Sequence, residues 1–163
     1  MKTTRNIQGF SLIELLLVVA IIGILAAIGV PNFIAARRAA NEGSTQSALR
    51  SIHSAQVTYQ ATSGFGNFGS MNELSTANLV DGALATNVKS GYRYVITETD
   101  AVVGVSLATF KVTSNPTITS GVMATGARKF GMRTDGVMHG QADALATPLT
   151  DAELALTTNA LGS

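Results

Sequence analysis

The longest unbroken apolar stretch runs from Phe10 to Val30, FSLIELLLVVAIIGILAAIGV, interrupted only by Glu14. As a helix these residues rise about 31 Å, enough for a bilayer core of about 30 Å. From Asn32 to about Ala61 the pattern changes to helical periodicity. Ala48, Ile52, Ala55 and Tyr59 form one apolar stripe with Leu49 beside it, while Ser47, Arg50, Ser51, Ser54 and Thr58 make wetter faces. The stripe is expected to dock on a sheet. Pro31, with Gly23 and Gly29 before it, predicts a kink or an unwound turn between the two halves.

After the helix, Gly64 to Gly69 carries three glycines but follows a helix and lacks a P-loop lysine, so it reads as a connection whose Phe65 and Phe68 are free to pack. Ser70 and Glu73 form a capping box that starts a short helix, with Leu74, Leu79 and Leu84 nearby. Tyr92, Tyr94 and Ile96 then alternate with Arg93, Val95 and Thr97 as in a half-buried strand. A second strand is expected over Ala108 to Ser114, ended by Asn115-Pro116, with Phe110 and Val112 on one face. A hairpin follows from Lys129 to His139 around Asp135-Gly136, with Phe130 and Met132 inward and Lys129 and Arg133 outward. A second capping box, Thr150 with Glu153, predicts a helix over Asp151–Thr157, with Leu149 and Leu154 as its hydrophobic staple.

The apolar run admits three readings. It is compatible with a signal peptide cut near Ala26 or Ala27, with a plain anchor, or with a membrane helix later withdrawn into a filament. Lys2 and Arg5 before it favour a cytoplasmic N-terminus, although Arg37 and Arg38 follow it. Glu14 separates the readings. A carboxylate at a membrane helix centre costs about 2.5–3.5 kcal/mol, less near the interface. A helix packing against copies of itself recovers that cost by pairing the charge.

Gly9-Phe10-Ser11-Leu12-Ile13-Glu14-Leu15 behind a short basic leader resembles the prepilin-peptidase site of type IV pilins and type II secretion pseudopilins. The resemblance implies cleavage between Gly9 and Phe10 and methylation of the new N-terminal Phe10. It places the family's assembly glutamate on Glu14 and its helix-loosening proline on Pro31. It also implies the partners: copies of the chain itself in a helical polymer, a prepilin peptidase, an inner-membrane assembly platform, and the membrane before assembly. The precursor is expected in the inner membrane and the product in an extracellular filament, with a periplasmic pseudopilus as the alternative.

The expected organisation is a leader over 1–9, an assembly helix over 10–30 and its amphipathic half over 31–62. A head follows over 63–139, and a C-terminal segment over 140–163. The fold class is α+β, a long N-terminal helix packed on a small antiparallel sheet.

Composition narrows the chemistry. Hydrophobic residues make up 46% and charged residues 13%, so no acidic or basic tail invites nucleic acid. Removing Lys2 and Arg5 leaves nine basic against ten acidic residues, a mature chain without the bulk charge for DNA. There is no cysteine, which excludes a disulfide-closed head and thiolate chemistry. His53 and His139 lie far apart in sequence, and Asp135, Asp143, Asp151 and Glu153 lack the spacing of a calcium loop. No metal, cofactor or catalytic group is expected, and the chain does not read as an enzyme. Arg38 and Glu42 stand at i,i+4 and predict a local surface pair.

Overall fold

The computed structural model describes residues 10–142, 147–155 and 160–161. The chain divides into two units, Met1–Ala36 and Arg37–Ser163. One helix, α1 (Leu12–Ala61), supplies residues to both. Pro31 lies within it, and no turn between Gly23 and Pro31 is unwound. The missing N–H of Pro31 leaves the Ala27 carbonyl without its helical donor, yet the residues on either side keep helical geometry. Gly43 is likewise absorbed without a break.

In the second unit, residues 37–61 of α1 turn the stripe of Ala48, Leu49, Ile52 and Ala55 into the core, all at most 5% exposed. Ser47, Arg50, Ser51, Ser54 and Thr58 stay exposed. Two polar residues join the buried side. Thr45 donates to the Asn41 carbonyl and accepts from the Tyr94 hydroxyl. Gln56 donates its amide N–H to the Gly69 carbonyl and accepts the Gly69 N–H at 2.9 Å. Replacing Gln56 by Leu removes both bonds and leaves the buried Gly69 amide unpaired. The expected loss is about 1–3 kcal/mol, read as a lower melting temperature of the head.

The helix ends where Gly64 N–H reaches the Tyr59 carbonyl and Gly66 N–H the Gln60 carbonyl. The glycine-rich connection thus spends its amides on the chain itself, which removes the phosphate-loop reading. Phe68 is buried with its ring 4.7 Å from that of Phe110, whereas Phe65 projects into solvent. Ser70 caps α2 (Met71–Thr76) with both bonds of the capping box present. Asp81 caps the single turn α3 (Gly82–Ala85), and its carboxyl is held low by Lys89 and the Leu84 N–H.

Five antiparallel strands follow in sequence order: β1 (Val88–Lys89), β2 (Tyr92–Thr99), β3 (Thr109–Pro116), β4 (Lys129–Arg133) and β5 (Met138–Gln141). The register aligns Ile96, Val112, Met132 and Met138 in one row, and Tyr94, Ser114 and Phe130 in the next. These rows and the stripe of α1 belong to one core cluster. Burial raises the Tyr94 hydroxyl above the ordinary phenol range, and raises that of Tyr92 further. β3 extends beyond Ser114: Asn115 pairs with Arg93 and Pro116 with Tyr92. A proline at the last strand position forfeits no interior ladder bond, so Asn115-Pro116 closes the strand from within.

The hairpin forms around Gly136, whose φ of 75° meets the positive-φ demand of the turn. Phe130 and Met132 point inward as expected, but Lys129 does not point to water. It is 3% exposed. There α4 (Asp151–Ala155) packs on β4 and its Glu153 pairs with Lys129, while Arg93, Val95 and Thr97 on the same face of β2 stay exposed. Gly131 makes room for α4: a Cβ there would stand 2.6 Å from Leu154 Cδ2 and 3.2 Å from Leu149 Cδ1. Leu149 and Leu154 are 2% and 1% exposed. Leu156 and Thr157, the end of the expected helix, lie outside the described residues. A Gly131→Val variant is expected to lose about 1–3 kcal/mol by overpacking, seen as a shifted urea midpoint.

Candidate functional site: the N-terminal assembly helix

Of the residues singled out from the sequence, Gly9 lies outside the described residues, as do Lys2 and Arg5. Phe10 is 72% exposed and precedes the first turn of α1. That turn closes as the Glu14 and Leu15 N–H groups donate to the Ser11 carbonyl at 3.1 and 3.2 Å. Glu14 is thereby the acidic residue of the first turn, where the positive end of the helix dipole favours a carboxylate. No ion pair to it exists among the described residues.

Around it every large apolar side chain is exposed, from Leu12 through Leu16, Ile22 and Ile28 to Val30. The helix is long and apolar enough to cross a membrane. A surface of this kind has two stable environments, lipid or other apolar helices. Pro31 is one turn beyond Ala27 on the same helix.

Residues 4–30 match the family model of the prokaryotic N-terminal methylation motif. The chain carries this N-terminal motif. Among curated proteins it is similar to the type IV wide pilus major component PilA4 of Thermus thermophilus, 50% identical over 56 residues. That match covers 34% of this chain and 43% of the relative. It is also similar to the type IV major pilin protein PilA of Myxococcus xanthus, 47% identical over 55 residues, which is 34% of this chain and 24% of that one. The chain thus spans less than half the length of these relatives. No solved structure matches it.

Behind this motif, the start of the head is tied to the β3–β4 loop. Arg38 Nη2 donates to the Gly121 carbonyl at 2.7 Å, Asn41 to the Thr125 carbonyl at 2.8 Å, and Glu42 Oε1 accepts the Ala127 N–H at 2.8 Å. Arg38 and Glu42 therefore do not form the expected i,i+4 pair. Each bonds a loop backbone group instead.

The other charges are structural. Lys129 reaches Glu153 Oε1 at 3.3 Å, and Lys111 reaches both oxygens of Asp151 at 2.8 Å. Thr150 donates its N–H and hydroxyl to Glu153 at 2.7 and 2.8 Å, completing the expected capping box. These bonds, and then Lys129, hold the Glu153 carboxyl down at about 2. Lys111 likewise lowers Asp151. Among the described residues, no group of three or more His, Cys, Asp and Glu is placed to hold a metal. Asp143 lies outside them. His53 Nε2 stands 3.4 Å from the Thr134 carbonyl, its ring 5.6 Å from Phe110.

The Glu153 shift sets a pH dependence. Its folded value lies below the ordinary glutamate value of about 4.3, so its contribution is complete above that pH and lost as pH falls toward 2. Protonation also leaves the buried Lys129 without its counter-charge. NMR methyl signals of Leu149 and Leu154 are expected to move toward free-chain positions between pH 4.5 and 2, while those of Val112 stay.

Proposed function

We propose that the chain is a structural subunit of a type IV pilus. On this reading a prepilin peptidase cuts between Gly9 and Phe10, and Phe10 is N-methylated. The subunit waits in the inner membrane, an assembly platform withdraws it, and α1 then packs against copies of itself in an extracellular filament. The observation that carries this reading is the wholly exposed apolar surface of residues 12–30 of α1 with one carboxylate, Glu14, the fifth residue past the junction.

The chemistry supports the sequence of events. Cleavage creates an amine on Phe10 in an apolar setting, and Glu14 of a neighbouring subunit supplies its counter-charge. Two isolated charges become one pair, and the pair fixes the axial register of neighbouring helices. Pro31 supplies a position where the helix has one bond fewer to break if it extends during assembly. The relatives named as pilus components favour a pilus over a secretion pseudopilus.

Mass spectrometry of the sheared extracellular fraction tests the proposal. A mature chain beginning with N-methylated Phe10, in fibres visible by electron microscopy, is the expected result. A chain that starts at Met1 or after Ala27 would overturn it. Loss of secreted enzymes without surface fibres would move it to the pseudopilus.

A further inference from the structure

On the face of the sheet opposite the core rows, the register sets Thr97, Lys111 and Arg133 side by side across three strands. Thr99 and Thr109 make the neighbouring row. Lys111 and Arg133 are thus like charges placed directly opposite each other, which destabilises a sheet unless an anion answers them. Asp151 of α4 answers one. Lys111 Nζ holds both of its oxygens at 2.8 Å. The half-buried Arg133 side chain has no hydrogen bond or ion pair among the described residues. Asp151 nonetheless feels both cations: Lys111 chiefly, and Arg133 at longer range, hold its carboxyl below the usual range.

These side chains line an open cleft of about 430 Å³, with Asp135 of the hairpin at its rim. Small-ligand sites typically measure about 300–1,000 Å³. The hydroxyls of Thr97, Thr99 and Thr109 are exposed and make no hydrogen bond among the described residues. Asp135 gives Oδ1 to the Val137 N–H at 2.9 Å and keeps Oδ2 unengaged.

The donors and acceptors define the ligand. A free guanidinium presents a planar fork that matches a carboxylate through two parallel N–H···O bonds. A phosphate dianion suits the cleft less, because Asp135 and Asp151 stand in it and repel a second negative charge. Three threonine hydroxyls and the free Asp135 oxygen then require hydroxyl groups on the same ligand. We propose that this cleft binds an acidic sugar, a hexuronate unit, with its carboxylate on Arg133 and its hydroxyls on Thr97, Thr99, Thr109 and Asp135. Lys111 is a positioning residue: through Asp151 it holds α4 as one wall of the cleft. The site lies wholly within the second unit and stands independently of the pilus reading.

Calorimetric titration of the detergent-solubilised full chain with trigalacturonate tests the proposal, at about 0.15 M salt to screen diffuse attraction. Saturable binding with a Kd on the order of 1 mM or below is expected. The methyl ester of the same trisaccharide keeps the hydroxyls, removes the charge, and is expected not to bind. Arg133→Gln is expected to weaken binding at least about tenfold, the loss of a charge-assisted pair. Arg93→Gln, on the same face but outside the cleft, is expected to leave it unchanged. No saturation by about 10 mM overturns the site. Equal binding of the methyl ester or of inorganic phosphate overturns the sugar-acid assignment, and equal weakening by Arg93→Gln reduces it to diffuse charge and overturns it too. If Arg133→Gln does not fold, the exposed pair Thr97→Val and Thr99→Val decides. Their combination is expected to weaken trigalacturonate several-fold, and unchanged affinity overturns the proposal.

Discussion

Glu14→Ala precursors are expected to insert into the membrane and to be cut after Gly9, yet to yield at least tenfold less filament. Insertion does not suffer, because the variant removes the only charge within Phe10–Val30 and with it a cost of about 2.5–3.5 kcal/mol at most. Assembly suffers because the Phe10 amine then enters an apolar helix bundle alone. Removing one partner of a buried pair costs about 3–5 kcal/mol, and in a polymer that loss recurs at every subunit. Glu14→Gln keeps the shape and one hydrogen-bond acceptor but not the charge, and is expected to fall nearly as far. Quantitative immunoblotting of sheared and cell-bound fractions, with the mature N-terminus checked by mass, reads both variants. Wild-type filament yield from Glu14→Ala would defeat the role assigned to this residue.

The largest effect on the head is expected from Phe130→Ala. Phe130 is fully buried in β4, opposite Ser114 on one side and Gly140 on the other, with its ring 6.1 Å from that of Tyr92. Its two cross-strand neighbours, Ser114 and Gly140, are too small to fill the vacated space. A truncation of this kind costs about 3–5 kcal/mol, against a total of about 5–15 kcal/mol for an ordinary domain. The variant head is expected to melt more than 10 °C lower, or not to fold at 37 °C. Tyrosine fluorescence follows the transition, since Tyr92 and Tyr94 lie in the core and the chain has no tryptophan. An unchanged midpoint would show that the α1–sheet core does not depend on this ring.

Both variants act on features that can be read along the chain. Apolar side chains at helical spacing place Ala48, Ile52 and Ala55 on one face wherever the helix lies. Alternation does the same for Tyr92 and Tyr94, and for Phe130 and Met132. The capping boxes at Ser70 and Thr150 need partners only three residues away, and both are formed. The N-terminal methylation motif is legible from residues 4–30 alone.

The misreadings share a different cause. Lys129 was expected in water from strand alternation, which says which face a side chain takes but not what covers that face. Covering depends on a segment some 20 residues later, and on Gly131 lacking the Cβ that would keep Leu154 away. Arg38 and Glu42 satisfy a simple spacing rule, yet their partners are backbone groups more than 80 positions distant. Gln56 resembles any polar residue on a helix until Gly69 is placed beside it.

By itself, then, the sequence determined the α+β class, the helices capped at Ser70 and Thr150, the inward faces of helix and sheet, and an N-terminal methylation motif with Glu14 near the start of its apolar run. These follow from interactions spanning a few residues, which the order of the chain alone arranges. Only the tertiary structure decided that α4 packs on β4 over a Lys129–Glu153 pair. It alone showed that Arg38 and Glu42 of α1 brace the β3–β4 loop. Those outcomes depend on which distant segments meet. That is settled by packing the whole head, where burial and hydrogen-bond satisfaction outweigh local pairing preferences.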